Sequence, residues 1–147
     1  MLIRILAATV AGAVVMFLGG WLIYGILLRS YFEGTMTAAA RTVMKAEPDF
    51  VPLIIAQLVF AGLFAFIFEY WATISTFVGG LKGGAIIMFA LALGFDLQMS
   101  AFFQNMHTVS PYMMIVIDVI AATVLGAIAG GVIGQVLGMM NKNTGAG

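Results

Sequence analysis

Five side chains in this sequence have the types to do chemistry: Asp96, Asp118, Gln57, Tyr24 and His107. Each lies in or beside a long apolar run. An Asp at the centre of a membrane helix costs about 2.5–3.5 kcal/mol on insertion scales. A carboxyl kept there either bonds a neighbouring helix or handles charge, and Asp96 and Asp118 are suited to carry a proton or bind a cation. Gln57 and Tyr24 supply the uncharged donors and acceptors that such a site would use. Other chemistry has less to stand on. One histidine and no cysteine remove thiolate metal sites, Fe–S clusters and disulfides within the chain. A haem held by two histidines would need a second copy, and on a helix Met106 would point about 100° away from His107. Ser110, His107 and Asp118 are the residue types of a hydrolytic triad, but nothing fixes their geometry. No HExxH, P-loop or dinucleotide motif is present. No metal and no cofactor are therefore expected, and an enzyme is the least supported class.

The elements that must position these residues follow from composition. The chain has 147 residues, 63% hydrophobic and 8% charged, with a mean hydropathy of +1.15. A soluble domain is about a quarter charged, so this chain could not cover its surface with polar groups, and lipid is the solvent that removes the requirement. The net charge is zero and there is no basic tract, which argues against nucleic acid as a partner. About 20 residues of helix cross the hydrocarbon, and four segments qualify: 3–28, 51–74, 81–104 and 111–140. The first, uncharged from Ile5 to Leu28, is too long for a signal-peptide core and is read as a retained span. Pro48 and Pro52 mark the start of the second span and Pro111 that of the fourth, with Ser110 as its expected cap. The tail from Asn141 to Gly147 is polar. Between spans one and two, Thr35 is expected to cap a short amphipathic helix over 35–47. Its apolar stripe, Met36, Ala40, Val43 and Met44, suits the membrane interface. The fold expected is an all-α, single-domain bundle of four transmembrane helices with that interfacial helix.

Chain direction sets depth. Four spans put both ends of the chain on one side, side A, with Arg4, Lys82 and Lys142. Side B then carries Arg29, Arg41 and Lys45, and this even count gives no orientation. Spans one and three end on side B, where spans two and four begin. Tyr24, Gln57, Asp96 and Asp118 therefore share the side-B half, and Gln98, Gln104, Asn105 and His107 continue toward that surface. A cavity opening to side B is expected, with these five residues as a ligand or ion pathway. Glu69, near side A, is expected to pair with Lys82.

Packing is most sharply specified on span four, where Ala122, Gly126, Gly130, Gly134 and Gly138 recur every four residues. Small residues at that spacing form a groove in which another backbone can lie close. The groove serves either as a partner seam or as an internal one, against Ala8, Gly12, Gly19 and Gly20 of span one. Gly79, Gly80, Gly83 and Gly84 read as a tight turn and helix entry. Phe60, Phe64, Phe68 and Trp71 make a packing or lipid-facing stripe.

The segment Gly19-Gly20-Trp21-Leu22-Ile23-Tyr24-Gly25-Ile26-Leu27-Leu28, the Gly83-Gly84-Ala85 opening of span three and the Leu93-Gly94-Phe95 stretch within it resemble a family of small bacterial four-helix membrane proteins of unknown function. The resemblance covers the layout of most of the chain and implies a fold, not an activity. The expectation is a multi-pass protein of a bacterial inner membrane, an accessory or structural subunit joined to other membrane subunits or to itself as a homo-oligomer. The alternative is a small proton- or cation-coupled transporter or channel.

Overall fold

A computed structural model describes residues 1–144, with side chains through Asn141. The protein is an all-α, four-helix membrane bundle. Helix α1 (Leu2–Leu22) runs into a π-helical turn, Ile23–Leu27; two short helices follow, α2 (Arg29–Thr35) and α3 (Ala38–Val43). Helix α4 (Phe50–Phe66) ends in a second π-helical turn, Ile67–Trp71, and α5 (Phe77–Phe102) and α6 (Pro111–Thr144) complete the chain. Four stretches are long and apolar enough to cross a bilayer: Leu2–Leu27, Phe50–Trp71, Phe77–Phe102 and Pro111–Asn141.

Local chemistry sets the ends of these helices. Asp49 caps α4, its carboxylate accepting from Val51 N at 3.3 Å, and Thr76 caps α5, its hydroxyl accepting from Gly79 N at 3.1 Å. Each satisfies a backbone donor that a helix start leaves orphaned. Both π turns close i→i+5 bonds, Leu28 N to Ile23 O and Ala72 N to Ile67 O, each at 2.8 Å. The chain reverses between α4 and α5 through Thr73, at φ 49°.

The helices alternate in direction, and their order in space is α4, α1, α6, α5. Helix α6 is the hub because it presents two adjacent stripes. Leu125, Ala129, Ile133 and Leu137, all buried, face α1 and α4 around Ala8, Met16, Ala61, Phe64 and Phe68. Gly126, Gly130, Gly134 and Gly138 face α5 and the turn before it. A Cβ on Gly84 would strike the Gly126 carbonyl oxygen, one on Gly134 the Thr76 carbonyl and one on Gly138 the Ser75 carbonyl.

Four readings are revised here. The counterpart of the span-four glycines is α5, through Gly80 and Gly84, and not the small residues of α1. Gly12 instead sits under Ile133 and Ala61, and Gly19 under Leu125. The helix expected over 35–47 is confined to Ala38–Val43, capped by Thr37, whose hydroxyl accepts from Ala40 N at 3.2 Å. Met36 leaves the helix because it pairs with His107 in an antiparallel bridge. The polar tail is helical through Thr144, and Gly145–Gly147 lie outside the described residues. The aromatic stripe divides: Phe64 and Phe68 are core, whereas Phe60 and Trp71 face outward.

Candidate functional site

Asp96 and Asp118 come together in the side-B half. Asp96 lies five turns into α5 and Asp118 two turns into α6, and the antiparallel packing of the pair brings them to one depth. Their carboxyls are within interaction range of each other, and both line a cavity of about 350 Å³ between the two helices. One oxygen of Asp96, Oδ2, is buried without a hydrogen-bond partner. Met99, Met114 and Ile115 supply apolar wall; Ser100, Gln104, Asn105 and His107 line the cavity toward side B.

Tyr24 reaches the same place from α1. It lies in the first π turn, and π turns are frequent at functional sites. Its hydroxyl donates to the main-chain carbonyl of Asp118 at 3.5 Å. Its ring stacks on Phe32 with centroids 6.1 Å apart, and Phe32 in turn lies 5.8 Å from the His107 ring. An aromatic row thus runs from the first span to the loop between α5 and α6.

His107 is fixed on several sides. Its Nδ1 is 2.9 Å from the Thr35 hydroxyl, which is also 2.9 Å from the Tyr31 carbonyl. With the Thr35 proton on that carbonyl, Nδ1–H of His107 is the donor to Thr35. The His107 amide donates to Asn105 Oδ1 at 3.1 Å, and Asn105 Nδ2 donates to Val109 O at 2.6 Å, closing the loop on itself. Burial disfavours the charged ring and lowers the His107 pKa below the usual imidazole value.

Four of the five sequence-predicted residues therefore meet. Gln57 does not: it sits on α4, which packs chiefly on α1, and it does not line the cavity. The predicted Glu69–Lys82 pair is also replaced. Glu69, in the second π turn, accepts from Arg4 Nη2 at 3.1 Å, with side chains only 10% and 15% exposed. Phe32, Thr35 and Met36 were not singled out as site residues in the sequence, because their roles come from pairing with a loop some 70 residues away. A second depression, about 420 Å³ on side A, is lined by Ser75, Thr76, Gln135, Gly138, Met139 and Asn141. It presents hydroxyl and amide groups and no titratable side chain.

Two carboxyls without a third ligand do not make a metal cage, and no group of three or more His, Asp or Glu converges among the described residues. What the arrangement can do is accept and release one positive charge. No protein-family model, curated protein or solved structure matches the chain.

Proposed function

We propose that this multi-pass membrane protein binds a proton or a small monovalent cation at Asp96 and Asp118, taken from side B, and works as a small proton- or cation-coupled transporter or channel. One observation carries the reading: two carboxyls from different helices share a cavity, and one of their oxygens is buried and unpartnered. Two negative charges side by side in a low-dielectric site repel each other, and each is costly in hydrocarbon. A single bound proton or cation relieves both costs, so the site distinguishes loaded from empty. Tyr24 holds the α6 backbone at that point, and a bacterial inner membrane is the setting in which we place it. The test is ion-coupled flux into liposomes containing the purified protein. Asp96→Asn and Asp118→Asn are each expected to lower flux at least tenfold while the helices remain folded. Equal flux in wild type and Asp96→Asn would reject the reading.

A second reading, the accessory or structural subunit, has its own support. The glycine face of α6 does not serve it, because α5 occupies that face. What favours it is the outer face of α5, which packs chiefly on α6 and leaves Ile86, Phe89 and Phe95 exposed. Native mass spectrometry from the source membrane separates the two. A reproducible added mass from another subunit favours the accessory role, and the chain alone or as a homo-oligomer favours autonomous transport.

A further inference from the structure

The cavity beside Asp96 and Asp118 is open, and its walls are mostly apolar. Helical spacing builds them. On α5, Asp96, Met99 and Phe103 fall at i, i+3 and i+7; on α6, Met114 and Asp118 fall at i and i+4. Each helix therefore turns one carboxyl and an apolar neighbour toward the same space. Phe32 of α2 and Met106 of the α5–α6 loop add to the apolar wall. The Met36–His107 bridge holds these two segments together: Thr37 N donates to Met106 O at 2.9 Å and Thr108 N to Thr35 O at 2.6 Å. Asp96 Oδ2 has no hydrogen-bond partner, and no lysine or arginine lines the cavity among the described residues.

We propose that the occupant of this cavity is an amphipathic organic ammonium ion, its cationic head beside Asp96 and Asp118 and its apolar part along Met99, Phe103 and Phe32. The proposal rests on the reading of the two carboxyls as a cation site and names the class of cation. Sign follows from the carboxyls, which no base in the cavity balances. Size follows from the space, about 350 Å³, within the range of small-molecule sites, about 300–1,000 Å³. Hard inorganic cations take several oxygen ligands, whereas methionine and phenylalanine make much of this wall. An alkylated ammonium group suits such a wall: aromatic rings attract it, and methionine adapts to apolar shapes of several kinds. The site therefore fits a class of ligands and not one compound.

Depth gives such a ligand its route. At 1.5 Å per residue, Asp96 and Asp118 lie about 10 Å below the side-B ends of α5 and α6. Met99, Phe103 and Met106, between the carboxyls and that surface, are exposed. An amphipathic cation settles at a membrane interface for the reason that a lysine snorkels there, with its charge toward water and its apolar part among acyl chains. From that level the half-buried carboxyls compensate the charge as the head moves inward. A free organic amine and the amine head of a bilayer lipid share this chemistry.

The probes are benzyltrimethylammonium and tetramethylammonium, titrated calorimetrically into the full chain in nanodiscs of phosphatidylglycerol, a lipid without an amine, with the heats of empty nanodiscs subtracted. Benzyltrimethylammonium is expected to bind saturably and at least tenfold more tightly than tetramethylammonium. Asp96→Asn and Asp118→Asn are each expected to weaken it at least tenfold. Phe32→Leu, which keeps apolar bulk and removes the ring, is expected to weaken it several-fold. Nanodiscs that also contain phosphatidylethanolamine assign the source: an apparent affinity lowered several-fold marks a lipid headgroup as the competitor, and an unchanged one marks a free amine. In wild type alone, equal affinity for the two probes, or no saturable binding of either, overturns the proposal. The ion-site reading fails separately. If proton or sodium flux into liposomes depends on Asp96 while neither probe binds, that reading stands and the organic class is wrong. If benzyltrimethylammonium binds through both carboxyls and no flux is found, the organic class stands and the transport reading fails.

Discussion

The two halves of the α5–α6 pair behave differently. Toward side A the helices are in backbone contact: Gly80 and Gly84 lie on Gly126 and Gly130, and Gly134 and Gly138 lie on the turn before α5. Toward side B the glycines stop. Met88 lies over Gly126, Asp96 and Asp118 follow, and a Cβ on Gly94 would meet nothing within 4 Å. The charges divide in the same way. The side-A pair, Arg4 and Glu69, is of opposite sign and joined at 3.1 Å, whereas the side-B pair is of like sign. Close approach and charge balance hold one end shut. The larger residues and unbalanced carboxyls at the other end leave a cavity. In membranes, where apolar burial does not drive helices together, that difference in packing decides which end can move.

The contrast is broken most severely by filling the seam. Gly84→Leu would drive a side chain into the Gly126 carbonyl and the Gly130 Cα, where backbone cannot yield as a side chain can. A loss of roughly 3 kcal/mol or more is expected, measured by denaturant unfolding in detergent. Gly94→Leu, ten residues further along the same helix, serves as the comparison and is expected to lie within about 1 kcal/mol of wild type. Equal losses at both positions would mean that the two halves pack alike.

The charged pairs come next. Glu69→Gln leaves Arg4 without its anionic partner in a site where both side chains are largely buried. Breaking a buried pair costs about 3–5 kcal/mol. About 2 kcal/mol is expected here, since the pair lies near the span end and Arg4 can reach water by extending along the helix. Asp96→Asn removes one of two like charges, so stability is expected to stay within about 1 kcal/mol of wild type or to rise, whatever happens to ion flux. A large loss of stability in Asp96→Asn would mean that the carboxyl is structural.

These residues also mark what could be read from sequence. Apolar run length located the four spans, because the bilayer sets that length. Chain direction gave depth, and depth alone brought Tyr24, Asp96, Asp118 and His107 to one level. It could not give the order of the helices around the bundle. Gln57 has the right depth and the wrong helix, since α4 flanks α1 instead of α5. The same gap misassigned Glu69: Lys82 and Arg4 are both at side-A depth, and depth does not say that the carboxylate turns to Arg4 of α1. The glycine series on span four was legible as a seam. Its other half, Gly80 and Gly84, was read as a turn because only two of its members fall at four-residue spacing before Met88. The Met36–His107 bridge was out of reach for a different reason. Met36 fits an amphipathic stripe locally, and its actual partner, His107, is fixed only once α5 and α6 have brought the second loop back. The two π turns have no local composition that distinguishes them from α-helix.

The gentlest test of the comparison is pH, because it acts on the side-B end alone. Burial lowers the His107 pKa from its usual 6.5 while the Met36–His107 bridge is formed, so the parted bridge binds a proton more readily than the formed one. By linkage, the bridge has its full stability above about pH 6.5 and loses part of it as pH falls from there toward the lowered value. Other ionisable groups on the elements adjoining His107 are Tyr31 and the exposed Arg29–Glu33 pair of α2, Arg41 of α3, whose guanidinium bonds the Glu33 carbonyl, Asp96 of α5 and Asp118 of α6. Native-state hydrogen exchange at the Thr37 and Thr108 amides, corrected for intrinsic rates, is expected to quicken modestly between pH 7 and pH 5. The amides of α5 and α6 beside the glycine seam should keep their protection. In His107→Gln the pH dependence of exchange at these two amides should flatten. If it persists undiminished there, the titrating group lies elsewhere, and Asp96 or Asp118 in the adjoining cavity becomes the candidate.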